Sequence, residues 1–327
     1  MRQNPALLLL FCCLGVGAQA QTARQERTIE LTAGVSLADA TLSHSGNLVA
    51  AICSDRLVRV WSAHSGELLR TIDENGQLPS AVHFSTDDRL LAVAYEIAVY
   101  EKGAIKVFDV GSWKVQYDLA TPFTMYTLVF SPDNHRLAFS DFHNDTEKIW
   151  DLESGKNLID ISPPFGGSVS LSFSPDGRWV ASADGDAFVR VHDARNGSLR
   201  SATKGYTLEP MAVAFFPDGG KLLAGGVEKS ISVIETASGN ILRTIPRQPG
   251  VIWSVDVSLN GKQAAVVYTS AERFLDINHL TLWNVDNGTI LADFKKPGIT
   301  IYGGAFVGDQ YLFIAASTNQ LSLWSLR

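Results

Sequence analysis

Phe173-Ser174-Pro175-Asp176-Gly177 is the stretch whose reading decides the fold. Pro175 presets φ for a turn, Asp176 and Gly177 accept its unusual dihedrals, and apolar runs flank it on both sides. It therefore reads as a tight connection between two strands. The same signature stands at Leu42-Ser43-His44-Ser45-Gly46, Phe84-Ser85-Thr86-Asp87-Asp88 and Phe130-Ser131-Pro132-Asp133-Asn134. It returns at Phe215-Phe216-Pro217-Asp218-Gly219 and Val257-Ser258-Leu259-Asn260-Gly261, and in degraded form at Phe306-Val307-Gly308-Asp309. Counted on its second residue, the signature recurs after 42, 46, 43, 42, 42 and 49 residues. A period of this size marks a stack of like units, none of which can bury its apolar faces alone.

Working outward from the turn, each unit repeats three further signals. A run that is apolar on both faces follows it, as in Leu48-Val49-Ala50-Ala51 and Leu222-Leu223-Ala224, which suits a sheet packed between two others. Next comes a strand ending in an aromatic, as in Val58-Arg59-Val60-Trp61 and Leu280-Thr281-Leu282-Trp283. A second turn is marked by Ser65-Gly66, Ser154-Gly155, Asn196-Gly197, Ser238-Gly239 and Asn287-Gly288. A last strand such as Leu68-Leu69-Arg70-Thr71-Ile72 ends the unit. Four antiparallel strands per unit and seven units predict an all-β, seven-bladed β-propeller.

The two ends of the chain bear on closure. The seventh unit stops at Trp324-Ser325-Leu326-Arg327, one strand short, while Arg27-Thr28-Ile29 repeats the Arg-Thr-Ile of units one and five. The N-terminal strand is expected to complete the last blade and remove its open edge. Ahead of it, Arg2, the apolar run from Ala6 to Val16 and Ala18-Gln19-Ala20 have the form of a signal peptide over residues 1–20, leaving 21–327 as the propeller. That run is about half of a bilayer span. Phe11 before Cys12, and Cys12 before Cys13, replace the small residue that lipidation needs. The expectation is an exported protein, periplasmic or secreted, monomeric as a fold, with no membrane span.

Composition narrows the function classes. Beyond the leader only Cys53 remains, so no internal disulfide can form. A net charge of −7 counts against nucleic acid, which wants a basic face. There is no Gly-x-Ser-x-Gly elbow and no phosphate-cradling Gly-rich loop before a helix. The reading is non-catalytic and without a cofactor.

At this point the chain resembles the WD-repeat family over essentially all of residues 25–327. The Ser-Pro-Asp-Gly turns and the third-strand ends carry the resemblance. Trp150-Asp151 is a literal Trp-Asp pair; Phe108-Asp109 and His192-Asp193 keep the Asp, and Trp61-Ser62, Trp283-Asn284 and Trp324-Ser325 keep the Trp. The family's turn aspartate, six residues before the aromatic, matches Asp55 and Asp186, with Glu228 as a near match; its Gly-His pair is absent. The resemblance implies a rigid platform whose partner is another protein. Fold alone does not supply that function.

Aligned five residues before the second residue of each turn signature are Ala38, Ser80, Tyr126, Val169, Met211, Trp253 and Tyr302. In the family this region lies at the rim of the channel, on the docking face. Tyr126, Met211, Trp253 and Tyr302, with Phe123, Phe165 and Tyr206 in the preceding loops, are the candidate partner-binding residues, Tyr and Trp being common interface anchors. The plainer alternative is that they plug the channel mouth. Extra residues around Tyr95 to Lys102 and Thr269 to Asn278 fall on the same face, and insertions gathered on one face mark a working face.

Metal chemistry has weak candidates only. Asp141, His143 and Asp145 alternate in what reads as a polar loop, and Asp184-Gly185-Asp186 reads as a turn that no twelve-residue calcium loop follows. Asp39 and Asp256 are acids of first strands that could share a cation in the channel. They keep open a second reading, a ligand-binding or enzymatic propeller of lactonase-like or quinone-dependent type.

Overall fold

Each turn signature closes a hairpin, and its buried serine shows why. The Ser174 hydroxyl accepts the Trp179 N–H at 2.9 Å and donates to the Asp176 carboxylate at 2.6 Å, so one side chain satisfies the turn from inside. Ser85 and Ser131 make the same pair of bonds, and Ser258 does so with the amide oxygen of Asn260 in place of a carboxylate. Three residues after the signature's second position, φ lies between 60° and 73° in six blades, at Gly46, Asp88, Asn134, Gly177, Gly219 and Gly261. In blade seven the ladder runs on to Val307 and Gln310, and the turn shrinks.

The computed structural model describes residues 23–98, 102–121, 125–141, 146–161, 167–245, 248–272, 275–308, 310–317 and 320–326. Among these the chain forms 28 strands and no helix. They make seven four-stranded antiparallel sheets, six of them with their strands in sequence order. Blades one to six span 37–72, 78–121, 125–161, 168–203, 210–245 and 251–295. Blade seven joins 300–326 to the N-terminal strand Arg24–Glu30. That strand runs antiparallel to Gln320–Leu326, with Ile29 opposite Leu321 and Thr28 opposite Ser322. The closure expected from the sequence is what forms.

The first strand of each blade touches the first strands of both neighbours, so these seven line the channel. Antiparallel order puts the loops leading into the first strands on one face, called upper here, together with the hairpins between second and third strands. The serine turns lie on the lower face.

The core is divided among the seven interfaces between blades. Between blades one and two, Ala50, Ile52, Val58 and Val60 meet Val82, Phe84, Val93 and Tyr95. The other six interfaces have their own clusters built on the same positions. Each fully buried Val, Leu or Ile contributes about 1.5–3 kcal/mol relative to exposure, which holds the ring without a disulfide.

Candidate interaction face and central channel

The seven positions aligned five residues before the second residue of the turn signature share one backbone feature. In every blade the ladder between first and second strands shifts register there. In blade six, Ile252 pairs with Tyr268 and Ser254 with Val267, which leaves Trp253 as the extra residue. A bulge re-aims its side chain out of the strand's alternation, so a residue on a channel-lining strand is turned toward the rim.

What the bulges carry differs around the ring. Ala38, Ser80 and Val169 are small. Met211, Trp253 and Tyr302 stand on three consecutive blades, five to seven, and form an apolar arc. Trp253 is 51% exposed; its indole N–H donates to the Thr269 hydroxyl at 3.1 Å, which steers the ring against the blade-six hairpin. Tyr302 is half-buried, donates its hydroxyl to the Leu37 carbonyl at 2.9 Å, and packs on the core between blades seven and one. It is as much a tie between blades as a rim residue. Tyr206, in the loop before blade five, packs on the core between blades four and five, and burial pushes its phenol up to about 12.

Leu208 beside it is half-exposed, as are Leu78 and Ile97 of blade two. Sequence reasoning missed these three, because a single exposed aliphatic residue in a loop or at a strand end has no signature of its own. For Tyr126 the bulge is described but its side chain lies outside the described residues, as do Phe123 and Phe165.

The two insertions extend hairpins. In blade two, Leu90–Ala98 pairs with Lys102–Asp109; in blade six, Gln263–Glu272 pairs with Leu275–Asn284 as far as Glu272 opposite Leu275. Blades one, four and five instead close this hairpin with a single left-handed residue, Arg56, Ala187 or Lys229. Two ribbons therefore rise from the upper face. Gly250 packs the leading loop of blade six onto its ribbon: a Cβ there would stand 1.8 Å from the Thr269 carbonyl oxygen.

The turn acids matched to the family are placed as expected but choose another partner. Asp55 binds Arg59 at 2.6 and 2.9 Å, and that pairing holds its carboxyl below the usual carboxylate range. Asp186 binds Arg190 at 2.6 and 2.8 Å. Glu228 accepts the Leu208 N–H at 3.0 Å and also that of Thr207. With no Gly-His pair, arginine does the work four residues further on. His192 is buried and its Nδ1 has no hydrogen bond; burial, then the nearby Arg190 charge, lowers it to about 4.

Asp39 and Asp256 stand on channel-lining strands, and each carboxylate is engaged by backbone N–H groups. Asp39 accepts the N–H of its neighbour Ala40 at 2.8 Å and that of Val82 in the next blade. Asp256 accepts the N–H of Val257 at 2.8 Å and that of Phe306 in the next blade. Ser170 and Ser172 accept from Val213 and Phe215 in the same way, at 3.3 and 3.4 Å. These side chains satisfy the outermost N–H groups of the neighbouring channel strand, which has no further strand to pair with. Burial raises both aspartates to about 6. They sit four and two residues before Ser43 and Ser258 of their turns, hence at different levels. Among the described residues no three His, Cys, Asp or Glu side chains gather to hold a metal. The Asp141 side chain, His143 and Asp145 lie outside the described residues.

At the lower mouth a cavity of 280 Å³ is lined by Thr41, His44, His83, Ser254 and Asp256, among others. His83 stands 6.3 Å from the His44 ring and is lowered to about 4, by burial first and His44 second. No helix of the described residues is long and apolar enough to cross a membrane.

Comparison with known proteins agrees with the geometry. Residues 162–193 match the family model described as WD domain, G-beta repeat. The chain is 23% identical to Periodic tryptophan protein 2 of Arabidopsis thaliana over 83% of its own length and 29% of that protein. It is 30% identical to WD repeat-containing protein SL1-17 of Schistosoma mansoni over 48% of itself and 50% of the relative. It is 28% identical to Small ribosomal subunit protein RACK1y of Oryza sativa subsp. japonica, over 42% and 41%. The chain thus spans half or less of the length of these relatives. Seven repeats and a ring closed by the N-terminal strand make the chain a seven-bladed β-propeller, and these comparisons make it similar to proteins of the WD-repeat family.

Proposed function

We propose that this protein is an exported, non-catalytic interaction module that binds another protein through its upper face. The observation that carries the reading is the arc of Met211, Trp253 and Tyr302 on three consecutive bulges, with a tryptophan half in solvent between them. Trp and Tyr are the residue types that anchor interfaces, and the ribbons of blades two and six frame that face. Resemblance to WD-repeat proteins supports a scaffold role, and the form of residues 1–20 supports export. Capture from the exported fraction with the wild type and a Met211→Ala, Trp253→Ala double variant tests it. The variant is expected to stay folded and lose the captured protein; equal capture by both forms defeats the reading. Tyr302 is left in place because its hydroxyl ties two blades.

The lower cavity supports a second reading, a small polar ligand held in the channel by His83 and Asp256. Under that reading His83→Gln abolishes ligand binding and leaves protein capture untouched.

A further inference from the structure

Blade three departs from the other six at one buried position. Three residues before the third-strand position that Trp150 holds in blade three, the other blades have Val58, Ile105, Val189, Ile231, Leu280 and Leu321; blade three has Glu147. Glu147 is 2% exposed. Its surroundings have changed with it. Ser140 lies opposite it in the ladder and takes the place that Ile52 has in blade one. On the facing side of blade four, Ser182 and Asp184 take the places that Val93 and Tyr95 have in blade two, and Ser168 lies opposite Asp184. Where blades one and two meet through hydrocarbon, blades three and four meet through oxygen. The lower half of the same interface stays apolar, with Ile149, Ile159, Leu171 and Phe173.

Both carboxylate oxygens of Glu147, Oδ1 of Asp184 and the hydroxyls of Ser140, Ser168 and Ser182 are buried without a hydrogen bond. Ser168, Ser182 and Asp184 are nevertheless close enough to act on the ionisation of Glu147. The nearby cation is already engaged: Arg190 binds Oδ2 of Asp184 at 2.5 Å and grips Asp186 with both terminal nitrogens. One guanidinium against three carboxylates leaves two negative charges in a dry place, which is costly unless a cation answers them.

We propose that this pocket between blades three and four is a divalent cation site of calcium type, with Glu147, Asp184, Ser168 and Ser182 as ligands and Ser140 behind them. The donors are all hard oxygens, as calcium prefers. The two uncompensated charges equal the charge of the ion. Magnesium holds on to several waters and suits a closed pocket between packed sheets poorly. Without a cation, burial and the Asp184 carboxylate push Glu147 well above the usual carboxylate range.

The test uses the full chain, stripped with chelator and titrated with calcium chloride or magnesium chloride, read by thermal unfolding and calorimetry. The expected result is one calcium bound per chain and an unfolding midpoint that climbs with the logarithm of calcium concentration, with no comparable climb in magnesium. Glu147→Val installs the residue type of the other blades, and Glu147→Gln keeps the shape without the charge. Both are expected to fold and lose the calcium response. Should one variant not fold, the other decides. No calcium response in the wild type, an equal response to magnesium, or a response retained by the folded variants overturns the proposal.

Discussion

The Oδ1 of Asn134 accepts both the backbone N–H and the hydroxyl of Thr86, each at 2.9 Å, and so joins the lower turn of blade three to that of blade two. Asn134 stands at φ 60°, where four other blades have glycine. Asp88 does the same one blade earlier, accepting the N–H groups of His44 and Ser45 at 2.7 and 3.0 Å. Asparagine and aspartate tolerate this backbone region, and here the side chain left over by the turn is spent on the neighbouring blade.

Asn134→Gly keeps the turn and removes only the link between blades. It is expected to cost about 1–2 kcal/mol, the range for losing a hydrogen-bonded acceptor. Asn134→Ala loses the link and strains the turn as well, so it should cost more. Urea denaturation with an unchanged slope would read both; a glycine variant as stable as the wild type would deny the link any weight.

Deleting residues 24–30 reopens the edge of Gln320–Leu326 and takes Ile29 out of the core between blades seven and one. Six paired positions at roughly 0.5–1.5 kcal/mol each put the loss on the order of 5 kcal/mol, a large share of an ordinary domain's stability. Calorimetry should show a lower midpoint for the whole ring and greater self-association through the exposed strand. A normal melt would refute closure by this strand.

Asp256 sets a pH dependence whose sign can be worked out. Its folded-state value of about 6 lies above the 3.8 of the free residue, so the folded chain keeps this proton longer. The contribution is present below pH 4 and is lost as pH rises through 6. Asp256→Asn keeps an oxygen for the Val257 and Phe306 N–H groups and has no charge to lose. It is expected to match the wild type near pH 4 and exceed it above pH 6, by at most about 3 kcal/mol. His83 and His192, lowered to about 4, act in the opposite sense, since their contribution is lost as pH falls from 6.5 to 4. The difference between variant and wild type across pH 4–7 isolates the aspartate, and a difference independent of pH would contradict its raised value.

Gly250→Ala has no room for its methyl, because the obstacle is the Thr269 backbone rather than a side chain that could swing away. Backbone shifts of this kind cost about 1–3 kcal/mol. The blade-six ribbon should loosen first, seen as faster amide exchange over 263–272, and unchanged exchange there would mean that the loop moves instead.

Turn chemistry and apolar period are local properties, written within a few residues, and that is why the seven units, their lower turns and the strand that closes the ring were legible in the sequence. The alignment on the turn serine also picked the rim position in every blade, since a fixed count along a strand survives folding. The direction of those side chains was not legible: the bulge that turns Trp253 outward is a shift in pairing with the second strand, which no residue near Trp253 announces. Nor was the use of Asp39 and Asp256, whose acceptors answer N–H groups of the next blade. Glu147 could be read as an oddity from the repeat, but the residues it faces are those of another sheet. Pairings between blades belong to the closed ring, because only the ring sets two units at a fixed distance and angle. Tertiary structure alone decided that Glu147 meets Asp184 across a dry interface, with their charges unanswered.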